Sequence, residues 1–209
     1  MQFSNDELYT MNTILGNRNT ILNVEYIDGE SHIKNGIKSL EERQLITNNV
    51  VVSEPFSDEF LCYLKYLSDY INSDKYLFIN NCAIVRKNNY FIYLIRQVNN
   101  YELDTMTIYD LIDLLIEKIP NLTKLDDFVQ RDLGLDEIAL NLYQNYEYIE
   151  FIYMENGKII DNYGIIDVDL EFGIIKLFGQ PINSFLISVP TLYKEVFSFF
   201  GYKKLKSYI

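Results

Sequence analysis

Three Asn-Asn pairs, at 80–81, 88–89 and 99–100, divide a stretch rich in β-branched and aromatic residues, and they constrain this chain more than any other feature. Asn accepts the positive φ angles of tight hairpins, so the stretch from Lys75 to Thr107 is predicted to be an antiparallel meander. Its expected strands are Tyr76 to Ile79, Ala83 to Lys87, Tyr90 to Gln97 and Tyr101 to Thr107. A helix is predicted to follow from Ile108 to Ile119, closed by Pro120.

Helices are predicted before the meander as well. Ser4 with Glu7 three residues on forms a capping box, and Phe3 and Leu8 stand in hydrophobic-staple positions, which predicts a first helix ending near Gly16. Alternation over Thr20 to Ile27 predicts a strand, ended by a turn at Asp28-Gly29. Ile33, Ile37, Leu40 and Leu45 fall near helical spacing, with Glu41, Glu42 and Arg43 opposite. After a loop around Asn48 and Pro55, Ser57 caps a third helix, with Phe56 and Leu61 placed for a second staple and Phe60, Leu61, Leu64, Leu67 and Ile71 as its apolar stripe.

The remaining chain repeats this order. Short helices are expected at Leu125 to Asp132 and Asp136 to Gln144, then strands at Tyr146 to Met154, Lys158 to Asp167, Phe172 to Phe178 and Ser184 to Val189. Asn156-Gly157 marks the first hairpin, and Pro190 opens a last helix carrying Leu192, Val196 and Phe199 before Gly201. Leu103 to Leu115 and Leu186 to Phe199 share a strand-to-helix pattern, compatible with an internal duplication or with a common motif arising twice. The expected fold is α+β: one domain over residues 1–209, a central antiparallel sheet flanked by helices, in two pseudo-symmetric halves of roughly 1–120 and 121–209.

A chain of 209 residues buries about 70% of its unfolded surface and needs no staples. The start lacks the basic cluster and apolar run of a signal peptide, and no window reads as a membrane span, so a cytoplasmic protein is expected. The formal charge of -12 disfavours nucleic acid; it suits either solubility or a basic protein partner. Cys62 and Cys82 lie in apolar runs and are expected to be reduced and buried, with a disulfide as the alternative.

Reactive groups are scarce. His32, the single histidine, lies in a polar stretch and reads as an exposed residue at a helix start, so triad and Cys-His chemistry are not expected. The cysteines lack zinc spacing, and the glycines are too scattered for a phosphate loop. Asp161, Asp167, Asp169 and Glu171 form the densest carboxylate group, readable as calcium or magnesium ligands or as the wet face of a hairpin; alternation with Ile159, Ile165, Val168 and Phe172 favours the hairpin. No catalytic, cofactor-binding or metal-binding residue is assigned, no cofactor is expected, and the chain is read as a non-enzyme. Tyr63, Tyr66 and Tyr70 flank the third helix as either interface or core edge, while Tyr143, Tyr146, Tyr148 and Tyr153 add aromatic surface further on.

The opening Phe3-Ser4-Asn5-Asp6-Glu7-Leu8, the following strand, the helical run Gly36 to Ile46 and the meander feeding a Leu-rich helix together resemble the EspG-like chaperones of type VII (ESX) secretion systems, over roughly Phe3 to Ile119. That resemblance implies a cytosolic chaperone or accessory protein for helical secreted substrates. It fixes no contact residues. The acidic charge also suits a second expectation, an immunity protein that neutralises a toxin.

Overall fold

The computed structural model describes residues 1–17, 20–26, 29–47, 56–118, 148–167, 174–179, 183–187 and 189–202. The fold is α+β, with antiparallel strands and flanking helices. The chain divides into two compact units: Met1–Ser73 with Asn81–Thr107, and Asp74–Asn80 with Ile108–Ile209.

In the first unit, β1 (Gln2–Phe3) leads through the Ser4 cap into α1 (Asn5–Ile14). The capping box forms in full, the Ser4 hydroxyl accepting from the Glu7 N–H and the Glu7 carboxylate accepting from the Ser4 N–H, and both staple residues Phe3 and Leu8 are buried. α2 (Glu30–Glu42) crosses α1 very closely at Gly36, where a Cβ would collide with the Thr10 hydroxyl and the Asp6 carbonyl. Only glycine fits there.

α3 (Asp58–Ile71) starts at Ser57, whose hydroxyl accepts from the Phe60 N–H. The expected staple does not form. Leu61 is exposed, and Phe56 packs on Phe60 instead, their rings 5.5 Å apart. Leu64 and Leu67 complete the buried stripe with Tyr70, whose hydroxyl donates to the Leu22 carbonyl at 2.9 Å.

This unit's strands run in the order β1, β5 (Tyr101–Met106), β4 (Tyr90–Arg96), β3 (Cys82–Lys87). Asn88 takes φ 54° in the β3–β4 turn, as its turn chemistry predicts. The pair at 99–100 makes a wider connection closed by the Gln97 N–H on the Asn100 carbonyl at 2.8 Å.

Two elements differ from those predicted. Residues 20–26 form no strand. Asn23 sits at φ 67°, the Val24 N–H turns back to the Ile21 carbonyl, and the alternation reflects Ile21 and Val24 dipping separately into the core. Conversely β1, too short to show a period, pairs Gln2 with Glu102 and Phe3 with Tyr101.

In the second unit the strands run β2 (Lys75–Ile79), β6 (Tyr148–Glu155), β7 (Lys158–Asp167), β8 (Ile174–Phe178), β9 (Asn183–Ile187). Helices α4 (Ile108–Lys118) and α5 (Val189–Phe199) belong to the same unit, α4 burying Leu111 and Leu115, and α5 burying Leu192, Val196 and Phe197. The β6–β7 turn is Asn156-Gly157, both at positive φ, with a register shift at Tyr153/Met154. The helices predicted at Leu125 to Asp132 and Asp136 to Gln144, and the turn residue Asp28, lie outside the described residues.

Candidate functional site

His32 lies in the first turn of α2 and is half-buried, not exposed: its Nδ1 is 2.8 Å from Asp6 Oδ1, a contact that ties α2 to α1. Of the carboxylate group, Asp161 stands exposed on β7 opposite Tyr153; Asp167 ends that strand, and Asp169 and Glu171 lie outside the described residues. Among the described residues no group of His, Cys, Asp and Glu is placed to hold a metal ion. The cysteines are both free, Cys82 buried but Cys62 exposed on α3. That corrects the expectation that both are buried.

The three α3 tyrosines separate. Tyr70 is core, whereas Tyr63 and Tyr66 are half-buried, their rings edge-to-face at 5.6 Å. The Tyr63 hydroxyl lies 3.2 Å from Asp104 Oδ2 and 3.3 Å from the Met1 amino group, which itself lies 3.0 Å from the same carboxylate oxygen. Burial first, then the Asp104 charge, pushes the Tyr63 phenol up to about 12, so it serves as a hydrogen-bond donor and not as a base. Burial, the largest single influence on Asp104, pushes its carboxyl up, but the Thr105 N–H, the Met1 amino group and the Tyr63 hydroxyl together hold it below its ordinary value.

A second polar group lies in the other unit. The hydroxyls of Tyr153 and Tyr163 are 2.7 Å apart and buried. Lys176 Nζ sits 3.7 Å above the Tyr163 ring centroid and 2.9 Å from the Glu195 carboxylate of α5. Burial raises both phenols well above their ordinary value, which keeps them protonated. These groups are mutually satisfied, and the arrangement fastens α5 to β7 and β8.

The surface that stands out is the other side of β6. Exposure alternates along this strand, with Ile149, Phe151 and Tyr153 buried and Tyr148, Glu150, Ile152 and Met154 more open. Antiparallel strands that are wet on one side usually place polar residues there. Here three of the four are apolar or aromatic; Phe78 of β2, also half-buried, stands opposite Ile152, while Tyr76 opposite Met154 and Ile166 opposite Tyr148 are buried. Tyr148 is 38% exposed, and its ring covers Gly164, where a Cβ would come within 2.8 Å of the ring edge. Beyond the register shift, Ile159 and Ile160 near the hairpin tip are 57% and 54% exposed. Glu150 adds a negative charge on this side, whereas Asp161 lies opposite Tyr153 and Glu155 is paired with Lys75 at 3.2 Å.

Of the tyrosines singled out in the sequence, Tyr148 belongs to this strip and Tyr153 is core, while Tyr143 and Tyr146 lie outside the described residues. Ile159 and Ile160 were missed because a β-branched run beside an Asn-Gly turn reads as ordinary strand. Their consecutive numbers were the available signal, since a period of two buries at most one of them, and the register shift that leaves Ile160 unpaired exposes both.

Among the described residues no helix is long and apolar enough to cross a membrane. No curated protein matches the chain. A family model described as a domain of unknown function, DUF5081, matches residues 1–148, and the chain belongs to that family.

Proposed function

We propose that this protein works by binding another protein, as a cytoplasmic chaperone or accessory factor for a helical partner of a type VII secretion system. The single observation that supports this most is the apolar strip Tyr148, Ile152, Met154, Ile159 and Ile160, with the Glu150 carboxylate among them. A strip of this kind suits an amphipathic helix whose apolar stripe covers the isoleucines while a flanking Lys or Arg side chain meets Glu150. The net charge of -12 would speed the encounter with such a partner.

The test is co-expression with the small helical proteins encoded beside this gene. Co-purification is expected, and Ile160→Asp is expected to abolish it without moving the melting temperature, because Ile160 is exposed. Absence of any complex with those products, or full retention of binding in Ile160→Asp and Ile152→Asp together, defeats the reading. The same charge favours a second reading, an immunity protein for a basic toxin. It predicts rescue of cells that express a neighbouring toxin domain.

A further inference from the structure

The chain contains two Asn-Gly pairs, Asn35-Gly36 and Asn156-Gly157, and the fold treats them in opposite ways. Gly36 lies inside α2, its N–H within the helical ladder, and it is walled in by Thr10 and the Asp6 carbonyl. Asn156 and Gly157 form an exposed turn between Glu155 and Lys158, the last paired residues of β6 and β7, which leaves the Gly157 N–H outside the ladder. A Cβ built on Gly157 would meet nothing within 4 Å. Both turn residues already occupy positive φ, at 50° and 73°.

From this contrast we propose that Asn156 is a site of spontaneous covalent modification, converting through a succinimide to aspartate and isoaspartate, while Asn35 is protected. The Gly157 nitrogen gives up its proton to solvent base and attacks Cγ of Asn156. The new N–Cγ bond forms as the Cγ–Nδ2 bond breaks, and Nδ2 departs as ammonia after regaining a proton. Water then opens the five-membered ring at either carbonyl. Opening at one restores an ordinary backbone with an aspartate side chain; opening at the other routes the backbone through Cγ and adds a methylene to the turn.

The position makes the change consequential. The Asn156 N–H donates to the Asp74 carbonyl at 2.8 Å, so a lengthened turn disturbs the β2 start together with the Met154–Ile159 pairing. Either product also adds a negative charge beside Glu155. This inference is independent of the partner proposed above.

The test is to incubate the intact folded chain at mildly alkaline pH and follow both sites by peptide mapping and by enzymatic methylation of isoaspartate. A urea-unfolded sample serves as the reference. In the folded chain, conversion at Asn156 is expected to outpace that at Asn35 by about tenfold or more, because reaction at Asn35 waits for α2 to open. In urea the two rates should converge, and Asn156→Gln should remove the fast site. Equal rates at the two sites in the folded chain, or an Asn156 amide that persists there while the unfolded chain reacts, overturns the proposal.

Discussion

Each unit buries a charge against a helix, and the two are made tolerable in different ways. Glu7, 2% exposed, accepts from the Ser4 N–H at 2.7 Å, from the Ser39 hydroxyl at 2.9 Å and from Arg43 at 2.9 and 3.0 Å. Lys176, 7% exposed, faces the carboxylate of Glu195 and the ring of Tyr163. The carboxylate is held from α1's own cap, from α2 and from α2's C-terminal end. The ammonium depends mainly on one helix docking correctly. A buried charge is costly when its partners are removed, and the cost grows with how little the survivors can turn to water.

Mutation distinguishes the two buried charges. Glu7→Ala removes the cap acceptor and leaves Arg43 and Ser39 without their carboxylate, and urea denaturation is expected to show a loss of about 3 to 5 kcal/mol. Lys176→Met should lose less, about 2 kcal/mol, because Glu195 is a third exposed and can rotate into solvent. The double replacement Lys176→Met with Glu195→Leu should recover most of that loss. If Lys176→Met proves as damaging as Glu7→Ala, the asymmetry between the two sites is wrong.

A smaller effect separates the half-buried pair of Asp104 and the Met1 amino group from both. The Asp104 carboxyl is held below its ordinary value of 3.8, so its folded form binds a proton less readily than the unfolded chain does. The stability it contributes is therefore complete above that ordinary range and is lost as pH falls through it. Asp104→Asn should lower stability slightly at pH 6, with the gap from the parent protein closing toward pH 3, as read by paired urea titrations. A gap that stays constant with pH removes the electrostatic account.

Local signals were legible in the sequence, and signals that depend on three-dimensional neighbours were not. Ser4 with Glu7, and Ser57, announced their helices because a cap is decided within four residues. The same Glu7 gave no hint of Arg43, since a partner 36 positions away is set by how α1 and α2 cross. Apolar spacing located α3 but not its staple, because Phe56 had two candidate partners one residue apart and packing chose Phe60. Strand periodicity failed over residues 20–26 for a related reason: Ile21 and Val24 are anchored by Asn23, whose turn is stabilised by distant carbonyls. The apolar strip on β6 was half-legible, in that Tyr148 was marked as aromatic surface while the side chosen by Ile152 and Met154 depended on register.

The Asn23 side-chain amide makes two long-range contacts. Its nitrogen donates to the carbonyls of Asn81 at 2.9 Å and Leu94 at 2.8 Å, clasping the start of β3 and the end of β4 with one planar group. The hairpin mouth therefore cannot gape unless the segment after α1 lifts away in the same movement. Two stretches of chain nearly sixty residues apart are thereby joined into a single breathing unit, and proton exchange at either should report the opening of both.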